Sequence, residues 1–539
     1  MKNKTNPMII QGAILALAGI VTKIIGFAYR IPMANLLGEE GNGIYSVSFG
    51  IYNVALTLSS YSFPLAVSKL VSTRLAKRQA KNAFSAFLTA TAVSVIAGFL
   101  SFFLLFFGAD LLEILYKTEG LAHPLRVLAP TTFAVALLGV FRGYFQGHGN
   151  MVPTALSQIL EQIVNAIVSI VATYFSIKAF QNDAALSARG AAGATMGTLA
   201  GAIFALVFIV LTFSGRLSYT KRKIESDKNP EEKKSSVLVE MLTTMLPVIL
   251  SQTIYQIGFT IDDLLFSNSL HAKGVEGSVI SSLQGVFNTQ YTQLINIPIA
   301  VATAMGASAL PLIVKLSVQK KWALRREKIE SIIKINMAIA LPCAVGLACL
   351  AHPIVTLLFP SLITYRETAA GLLIFGSLGC VFYALSTVTT SVLQGCNKMR
   401  IPVVNAFISF VFHVILVSCL FKFTNLGIWA RLIGDMTFPL LIAVLNIHKI
   451  KNATGFVFPI KRIILYPFIC ALSMGVITLS SYFVINLLSS SMLVSLVISV
   501  ILSLAVYAVL ILKFPVFSDD EIAEFPKGEK ILRLAAKIR

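Results

Sequence analysis

Apolar stretches long enough to cross a membrane recur along the whole chain and restrict its fold more than any other sequence feature. A transmembrane helix needs about 20 mainly apolar residues to cross a hydrocarbon core of about 30 Å. About 14 stretches of the 539-residue sequence reach this length: 8–37, 44–68, 83–108, 121–145, 151–177, 188–214, 238–266, 278–312, 332–359, 368–394, 401–421, 426–447, 463–486 and 491–512. Only 13% of the residues are charged, which is too few for a soluble fold of this size. We therefore expect an all-α integral membrane protein with about 14 transmembrane helices.

Lysine and arginine are distributed unevenly between alternate loops. The basic segments 69–81, 216–234 and 315–334 and the C-terminal tail fall on one side of the predicted helices, whereas the acidic turn 38–41 falls on the other. Cytoplasmic loops carry an excess of Lys and Arg, so this pattern predicts a multi-pass cell-membrane protein with both termini in the cytoplasm. Such loops and anionic membrane lipids account for the net charge of +20, and no nucleic-acid partner is expected.

Three short motifs occur twice in the same order. They are IGF at 25–27 and 257–259, PLAV at 64–67 matched by PIAV at 298–301, and QG at 146–147 and 394–395. We interpret them as two homologous lobes of six helices each, which gives the lobes parallel topology. The predicted organisation is an N-terminal lobe (1–214), a cytoplasmic linker (215–237), a C-terminal lobe (238–450), and two extra helices with a cytoplasmic tail (451–539).

Two basic residues lie inside the first apolar stretch. Lys23 is near its centre, and Arg30 follows on the same face of the predicted helix. An ionisable residue at the centre of a bilayer costs about 2.5–3.5 kcal/mol, so it normally faces a bundle interior or an aqueous cavity. In a two-lobe transporter the substrate site lies between the lobes near mid-depth. We therefore expect Lys23 and Arg30 to belong to a central binding site for an anion.

Polar residues inside the seventh and eighth stretches are further candidates for substrate binding. Gln252 and Gln256 lie at helical spacing in the seventh stretch, and Asn288 and Gln293 lie in the eighth. A row of amides does not face lipid, because unsatisfied polar groups are costly there. For each amide, hydrogen bonding between helices and contact with substrate are both open interpretations.

Four charged residues are candidates for an ion site or for counter-charges. Asp262 and Asp263 either face the cavity, as ligands of a coupling ion or as counter-charges to the cations of the first helix, or snorkel at the outer end of the seventh helix. Arg142, at the end of the fourth stretch, is the predicted partner of Glu161 in the fifth. The sequence alone does not decide between these roles.

Motifs for catalysis, cofactors and metals are absent from the sequence. The chain has neither the glycine-rich phosphate loop of ATPases nor an HExxH zinc motif. Its six cysteines include no CxxC pair, which favours small buried side chains over a metal site or a disulfide framework. We therefore expect a transporter rather than an enzyme, with no cofactor, metal or catalytic residue.

Several segments resemble one family of membrane proteins. These are TKIIGF at 22–27, LLGEEG at 36–41, FPLAVSKLV at 63–71, and 141–162, which begins FRGYFQG. They are similar to the stage V sporulation protein B and lipid II flippase family, within the multidrug/oligosaccharidyl-lipid/polysaccharide exporter superfamily. The resemblance extends over essentially the whole chain, including the two extra C-terminal helices.

The resemblance implies a flippase for a lipid-linked sugar. Such proteins move an undecaprenyl-diphosphate-linked precursor of the lipid II type from the inner to the outer leaflet, and basic residues of the cavity contact the diphosphate. Lys23 stands where relatives have a basic residue, and Arg30 is near a second. The second stretch departs from the family pattern, because its middle, residues 52–57, lacks the arginine expected there. The implied partners are the lipid-linked diphosphate glycan and, beyond it, cell-wall synthases.

Two other functions stay open. A multidrug or cation antiporter of the same superfamily usually carries a carboxylate in its first or second helix, where this chain has cations and only Glu39 and Glu40 in the turn. A non-transporting partner of the cell-wall synthesis machinery leaves the two mid-depth cations without a purpose. The sign of the charge in the first helix therefore favours the flippase.

The predicted topology can be tested with single cysteines in a variant that lacks the six native ones. We expect a membrane-impermeant maleimide to label Glu39→Cys in intact cells and to label Glu225→Cys only after the cells are permeabilised. Rapid labelling of Glu225→Cys in intact cells is incompatible with this arrangement of 14 helices.

Overall fold

The chain is helical throughout the part that the structure describes. The computed structural model describes residues 7–525 and 527–538, and these ranges contain no β-strand. Residues 1–6 and Arg539, which include both predicted cytoplasmic termini, lie outside the described residues. The helices form two compact units, residues 1–285 and 286–539.

The first unit contains ten helices. They are α1 (Pro7–Ser59), α2 (Phe63–Ala76), α3 (Ala80–Phe107), α4 (Ala109–Tyr116), α5 (Ala122–Gly147), α6 (Val152–Ala179), α7 (Leu186–Ser214), α8 (Leu217–Glu225), α9 (Lys234–Ala272) and α10 (Gly277–Gly285). Helix α6 packs on α7, α5 packs on both α3 and α7, and α1 contacts α6, α9 and α10. The predicted linker 215–237 therefore contains the short helix α8 and the beginning of α9.

Helix α1 contains the first predicted membrane span and most of the second. A straight helix of its 53 residues would be about 80 Å long, far more than one hydrocarbon core. At Gly38 the backbone leaves the helical conformation (φ 70°, ψ −174°), which glycine adopts without steric strain. Thirteen segments of the described chain have the length and hydropathy of membrane spans, and the first, Ile14–Ala76, contains this break. Dividing it at Gly38 gives the 14 predicted helices, and the chain is a multi-pass membrane protein.

The second unit begins with a π-helical segment and continues with eleven helices. The π-helical segment is Val286–Tyr291, and the helices are α11 (Thr292–Val318), α12 (Trp322–Cys349), α13 (Ala351–Leu358), α14 (Arg366–Gly376), α15 (Leu378–Gly395), α16 (Arg400–Phe423), α17 (Ile428–Thr454), α18 (Tyr466–Ser489), α19 (Met492–Lys513), α20 (Asp519–Ala523) and α21 (Gly528–Ile538). A second π-helical segment, Lys461–Leu465, precedes α18. Helix α15 packs on α11, α12 and α17.

The glycine of the repeated QG motif has the same packing role in each unit. In the first unit, a Cβ atom added to Gly147 of α5 would lie 2.7 Å from Cβ of Val71 in α2. In the second unit, a Cβ atom added to Gly395 of α15 would lie 2.8 Å from Cβ of Ile313 in α11. Both helices therefore approach their neighbours at a distance that only glycine permits, as is common between membrane helices. The two predicted lobes remain an interpretation of the sequence repeat, since the first compact unit also includes α9 and α10.

The C-terminal tail packs against the second unit. Lys334 of α12 is 1% exposed and forms an ion pair of 2.8 Å with Glu521 of α20. Burial raises the pKa of Glu521, but hydrogen bonds from Lys334, Ser518 and Ser331 outweigh burial and keep the pKa below its usual value. Close to Glu521 along the chain, three residues are buried together in one hydrophobic cluster: Val516, Phe517 and Ile522. The segment that follows the last predicted span is therefore a folded part of this unit.

Substitution of either motif glycine by alanine should destabilise the protein. The added methyl group overpacks a tight helix contact, which costs about 1–3 kcal/mol and exceeds the gain of about 1 kcal/mol in helix propensity. We expect Gly147→Ala and Gly395→Ala to lower the thermal midpoint of the purified protein in detergent. Gly19→Ala is the matched control, because nothing lies within 4 Å of its added Cβ atom. An equal midpoint for all three variants would contradict the packing argument.

Candidate functional site

Arg30 lies among aromatic side chains without a carboxylate partner. Its guanidinium carbon lies 5.8 Å from the ring centroid of Phe49, and the guanidinium hydrogen-bonds to Tyr29. Its Nε atom is buried and has no acceptor among the residues that the structure describes. No ion pair of the described chain includes Arg30. This cation therefore retains an unused donor and an uncompensated charge.

Lys23 extends the same face of α1 by two helical turns. Its side chain is exposed, and within the described ranges it takes part in no ion pair. Between the two cations, a Cβ atom added to Gly26 would lie 3.8 Å from Oε1 of Gln162 in α6. This face of α1 therefore lies against Gln162 of α6. Two positive charges stand here without a carboxylate of the described residues beside them.

A chain of hydrogen bonds fixes the surroundings of Arg30. The Asn165 amide of α6 donates to the hydroxyl of Tyr29 at 3.3 Å. The hydroxyl of Ser169 lies 3.0 Å from Asn165 Oδ1 and 2.8 Å from the Ala194 carbonyl of α7, and its single proton is donated to one of these acceptors at a time. These groups are buried, and a buried network that is hydrogen-bonded holds its members in one arrangement. The network therefore orients Tyr29, and through Tyr29 the guanidinium of Arg30.

Arg142 and Glu161 form the predicted pair. Arg142 Nη2 lies 2.7 Å from Glu161 Oε2, and Arg142 Nε donates to the Ser157 hydroxyl at 2.9 Å. Both side chains are largely buried between α5 and α6. The structure thus contains the ion pair that the sequence suggested, and a role of this pair in an ion site stays a prediction. Because the two charges compensate each other, this pair contrasts with Arg30.

The two aspartates of α9 are buried in the first unit. Asp262 is 5% exposed and Asp263 is 4% exposed, which differs from side chains that snorkel to water. The fully buried amide of Gln284 in α10 donates to the Asp263 carbonyl at 3.1 Å. The aspartates therefore lie where α9 packs on its neighbours in this unit. Their assignment as ion ligands or counter-charges remains a prediction.

The predicted amides differ in their environments. On α9, Gln252 is exposed and Gln256 is half-buried. In the second unit, Asn288 of the π-helical segment accepts a hydrogen bond of 2.8 Å from Arg431, and Gln293 is 8% exposed at the start of α11. Contact between these amides and substrate remains a prediction.

A second buried polar cluster lies inside the second unit and includes residues outside the predicted site. The guanidinium carbon of Arg431 lies 4.3 Å from the ring centroid of Phe287. Asp435 accepts hydrogen bonds from the hydroxyls of Tyr291 at 3.1 Å and Tyr383 at 2.8 Å. The π-helical segment supplies both Phe287 and Tyr291, and π-helical turns are frequent at functional sites. No periodicity of apolar residues marks such a segment, so it is hard to predict from the sequence.

The Arg142–Glu161 pair can be tested by exchanging its charges. We expect Glu161→Gln to lower membrane expression and the thermal midpoint, because it leaves Arg142 buried without its counter-charge. The exchange variant, Arg142→Glu with Glu161→Arg, should recover part of that loss, since coupled partners are not additive. If the exchange is as damaging as the sum of the two single changes, the pair contributes no coupling.

Known protein families and relatives match this chain in sequence. Residues 11–317 match the sequence model of the polysaccharide biosynthesis protein family, and residues 247–418 match that of the MatE family. Stage V sporulation protein B of Bacillus subtilis (strain 168) is 25% identical over 535 residues, which is 96% of this chain and 98% of the relative. The lipid II flippase MurJ of the same organism is 25% identical over 415 residues, which is 75% of each chain.

Two solved structures share the fold. The lipid II flippase MurJ in its inward closed conformation superposes with a TM-score of 0.65 at 15% identity, over 92% of this chain and 97% of that one. An inward-facing multidrug resistance MATE family transporter of the MOP superfamily superposes with a TM-score of 0.66 at 17% identity, over 80% of this chain and 96% of that one. At these identities the likeness establishes the fold alone.

Proposed function

We propose that this chain, which belongs to the polysaccharide biosynthesis protein family, flips a lipid-linked diphosphate glycan across the cell membrane by alternating access. The substrate class is an undecaprenyl-diphosphate-linked cell-wall or polysaccharide precursor of the lipid II type, moved from the inner to the outer leaflet. Both termini lie in the cytoplasm in this proposal. Its central support is the half-buried Arg30, which has no carboxylate partner in the described chain and keeps a buried Nε donor.

The charge of the substrate explains why such a cation is needed. A diphosphate cannot enter the hydrocarbon core with its charge uncompensated, because unpaired ions are strongly disfavoured in a medium of low dielectric constant. The guanidinium of Arg30 is suited to bidentate contact with phosphate oxygens, whereas Lys23 supplies a compact charge. Tyr29 and Asn165 hold the guanidinium in place, which lowers the entropy lost on binding.

The amides and aspartates have distinct proposed roles. Gln252, Gln256, Asn288 and Gln293 provide hydrogen bonds for the sugar and diphosphate, whose many hydroxyls and oxygens require donors and acceptors. Asp262 and Asp263 either bind a coupling ion or serve as counter-charges to Lys23 and Arg30 after the substrate leaves. The Arg142–Glu161 pair, already neutral as a unit, keeps α5 and α6 together during transport.

The relatives support the same substrate class. Of the two Bacillus subtilis relatives described above, one is named a lipid II flippase and the other a sporulation protein. The MATE family neighbour shares the fold, but antiport of cationic drugs calls for carboxylates in the first helices, where this chain has Lys23 and Arg30. A non-transporting partner of cell-wall synthases has no need of an uncompensated cation in α1. The sign of that charge therefore favours the flippase over both alternatives.

Removal of both cations should nearly abolish transport. We expect the Lys23→Gln, Arg30→Gln double variant, reconstituted in vesicles, to flip a fluorescent undecaprenyl-diphosphate glycan at least about 100-fold more slowly than the wild type. Each charged contact contributes about 1.5–3 kcal/mol, and one kcal/mol changes a rate about fivefold. Glutamate at both positions should reduce the flipping rate further, because its negative charge repels the substrate. Arg30→Lys should retain partial activity, since it keeps the charge and loses the bidentate geometry.

The matched control is Lys449→Gln with Lys451→Gln, which removes two exposed positive charges from the end of α17. This variant should flip at the wild-type rate. Expression level and monodispersity of every variant separate a transport defect from misfolding. Wild-type flipping by the Lys23, Arg30 double variant, under conditions where the protein limits the rate, would refute the anionic-lipid assignment and favour the antiporter.

A further inference from the structure

A small cleft lies among the ends of several helices in the first unit. Its residues are far along the chain from the two cations of α1. The cleft forms where α2 and α5 end and α3 begins, residues of α8 also line it, and its volume is about 70 Å³. Ala83, Phe84 and the ring of Tyr144 are among the residues that line it. A cavity of this size holds several water molecules, and therefore also a group the size of a phosphate.

Two cations on the α8 side line the same cleft. The guanidinium carbon of Arg216 lies 5.6 Å from the ring centroid of Phe145, and the ammonium of Lys223 lies 4.7 Å from that of Tyr219. Both cations are exposed, and neither forms an ion pair with a carboxylate of the described residues. The cleft therefore combines an apolar wall with two uncompensated positive charges.

Two neighbouring cations, unlike Arg216 and Lys223, form ion pairs with carboxylates. Arg74, at the end of α2, pairs with Glu232 and with Glu240 of α9, the latter at 2.9 Å. Lys81, at the start of α3, pairs with Glu231. The segment after α8 thus supplies carboxylates to these two cations and none to Arg216 or Lys223. The positive charge at the cleft is a local property and does not simply follow from the basic composition of this side.

The surroundings of His148 also report positive potential in the cleft. Its ring packs against that of Tyr144, with the centroids 4.3 Å apart and the planes tilted by 46°, and its Nδ1 atom lies 2.9 Å from the Tyr144 carbonyl. Burial lowers the pKa of His148, and the positive charges of Lys223 and Arg216 lower it further. An anion in the cleft relieves this repulsion.

We propose that this cleft binds the phosphate head group of an anionic phospholipid of the surrounding membrane. The cleft lies at the ends of membrane-spanning helices, the level at which head groups are found, and Tyr219 is 63% exposed there, as is typical of interfacial aromatic residues. Basic pockets between membrane helices recognise anionic head groups through the same combination of cations and apolar walls. The proposal is independent of the transport substrate.

Titration of the full-length protein in nanodiscs tests the site. Native mass spectrometry would count phosphatidylglycerol bound to the wild type and to the Arg216→Gln, Lys223→Gln double variant, in a phosphatidylcholine background. We expect about 30-fold weaker binding in the variant, because each cation near an anionic surface contributes a factor of about five. The control, Lys221→Gln with Arg222→Gln, removes equal charge from the same helix outside the cleft lining and should bind like the wild type.

A blocking variant tests the cleft without altering charge. Ala80→Phe adds a ring to a residue that lines the cleft and should abolish the bound lipid while Arg216 and Lys223 remain. Equal losses in the cleft variant and its control would indicate diffuse electrostatic attraction and overturn the proposal, as would unchanged binding by Ala80→Phe. Displacement of the lipid by free glycerol phosphate at similar concentration would identify a site for soluble phosphates instead, and would equally overturn it.

Discussion

The proposed function depends on one constraint: a positive charge lies inside a membrane helix and has no negative charge beside it. Arg30 is half-buried among Tyr29, Tyr45 and Phe49, and it keeps a buried donor without an acceptor in the described chain. Such a group is costly in hydrocarbon unless something else compensates it. The same unit shows the usual solution nearby, where Arg142 is paired with Glu161. An external anion is the simplest reason for one arginine to lack what the other has.

The repeated motifs explain how two units of different sequence reach similar packing. Gly147 and Gly395 each remove a side chain where one helix meets the helix that carries the PLAV or PIAV motif. Between membrane helices, close approach replaces the hydrophobic effect as the source of attraction, so a glycine is more decisive there than in a soluble core. The short motif therefore records a contact between helices, and this contact recurs although most surrounding residues differ.

Three features follow from local rules. The length of the apolar stretches predicts the number of helices, and charges inside spans predict the Arg142–Glu161 pair. A turn rich in glycine predicts the break at Gly38. Other features depend on contacts that no local pattern encodes. Pro64 was expected within a continuous span, but α1 ends at Ser59 and Pro64 stands in the first turn of α2. The π-helical segment 286–291 and the docking of Glu521 on Lys334 likewise depend on tertiary packing. Which amides contact substrate is not encoded in their sequence spacing.

The central claim, that the cations of α1 recognise a diphosphate, is tested most directly by comparing two ligands on the unmodified protein. Native mass spectrometry would measure the binding of undecaprenyl diphosphate and undecaprenyl monophosphate, which share the lipid chain and differ by one phosphate. Because charge-assisted contacts to the second phosphate add to binding, the account predicts at least about tenfold tighter binding of the diphosphate. Equal affinity for the two lipids would mean that the second phosphate adds nothing to binding, and would contradict recognition of a diphosphate by these cations.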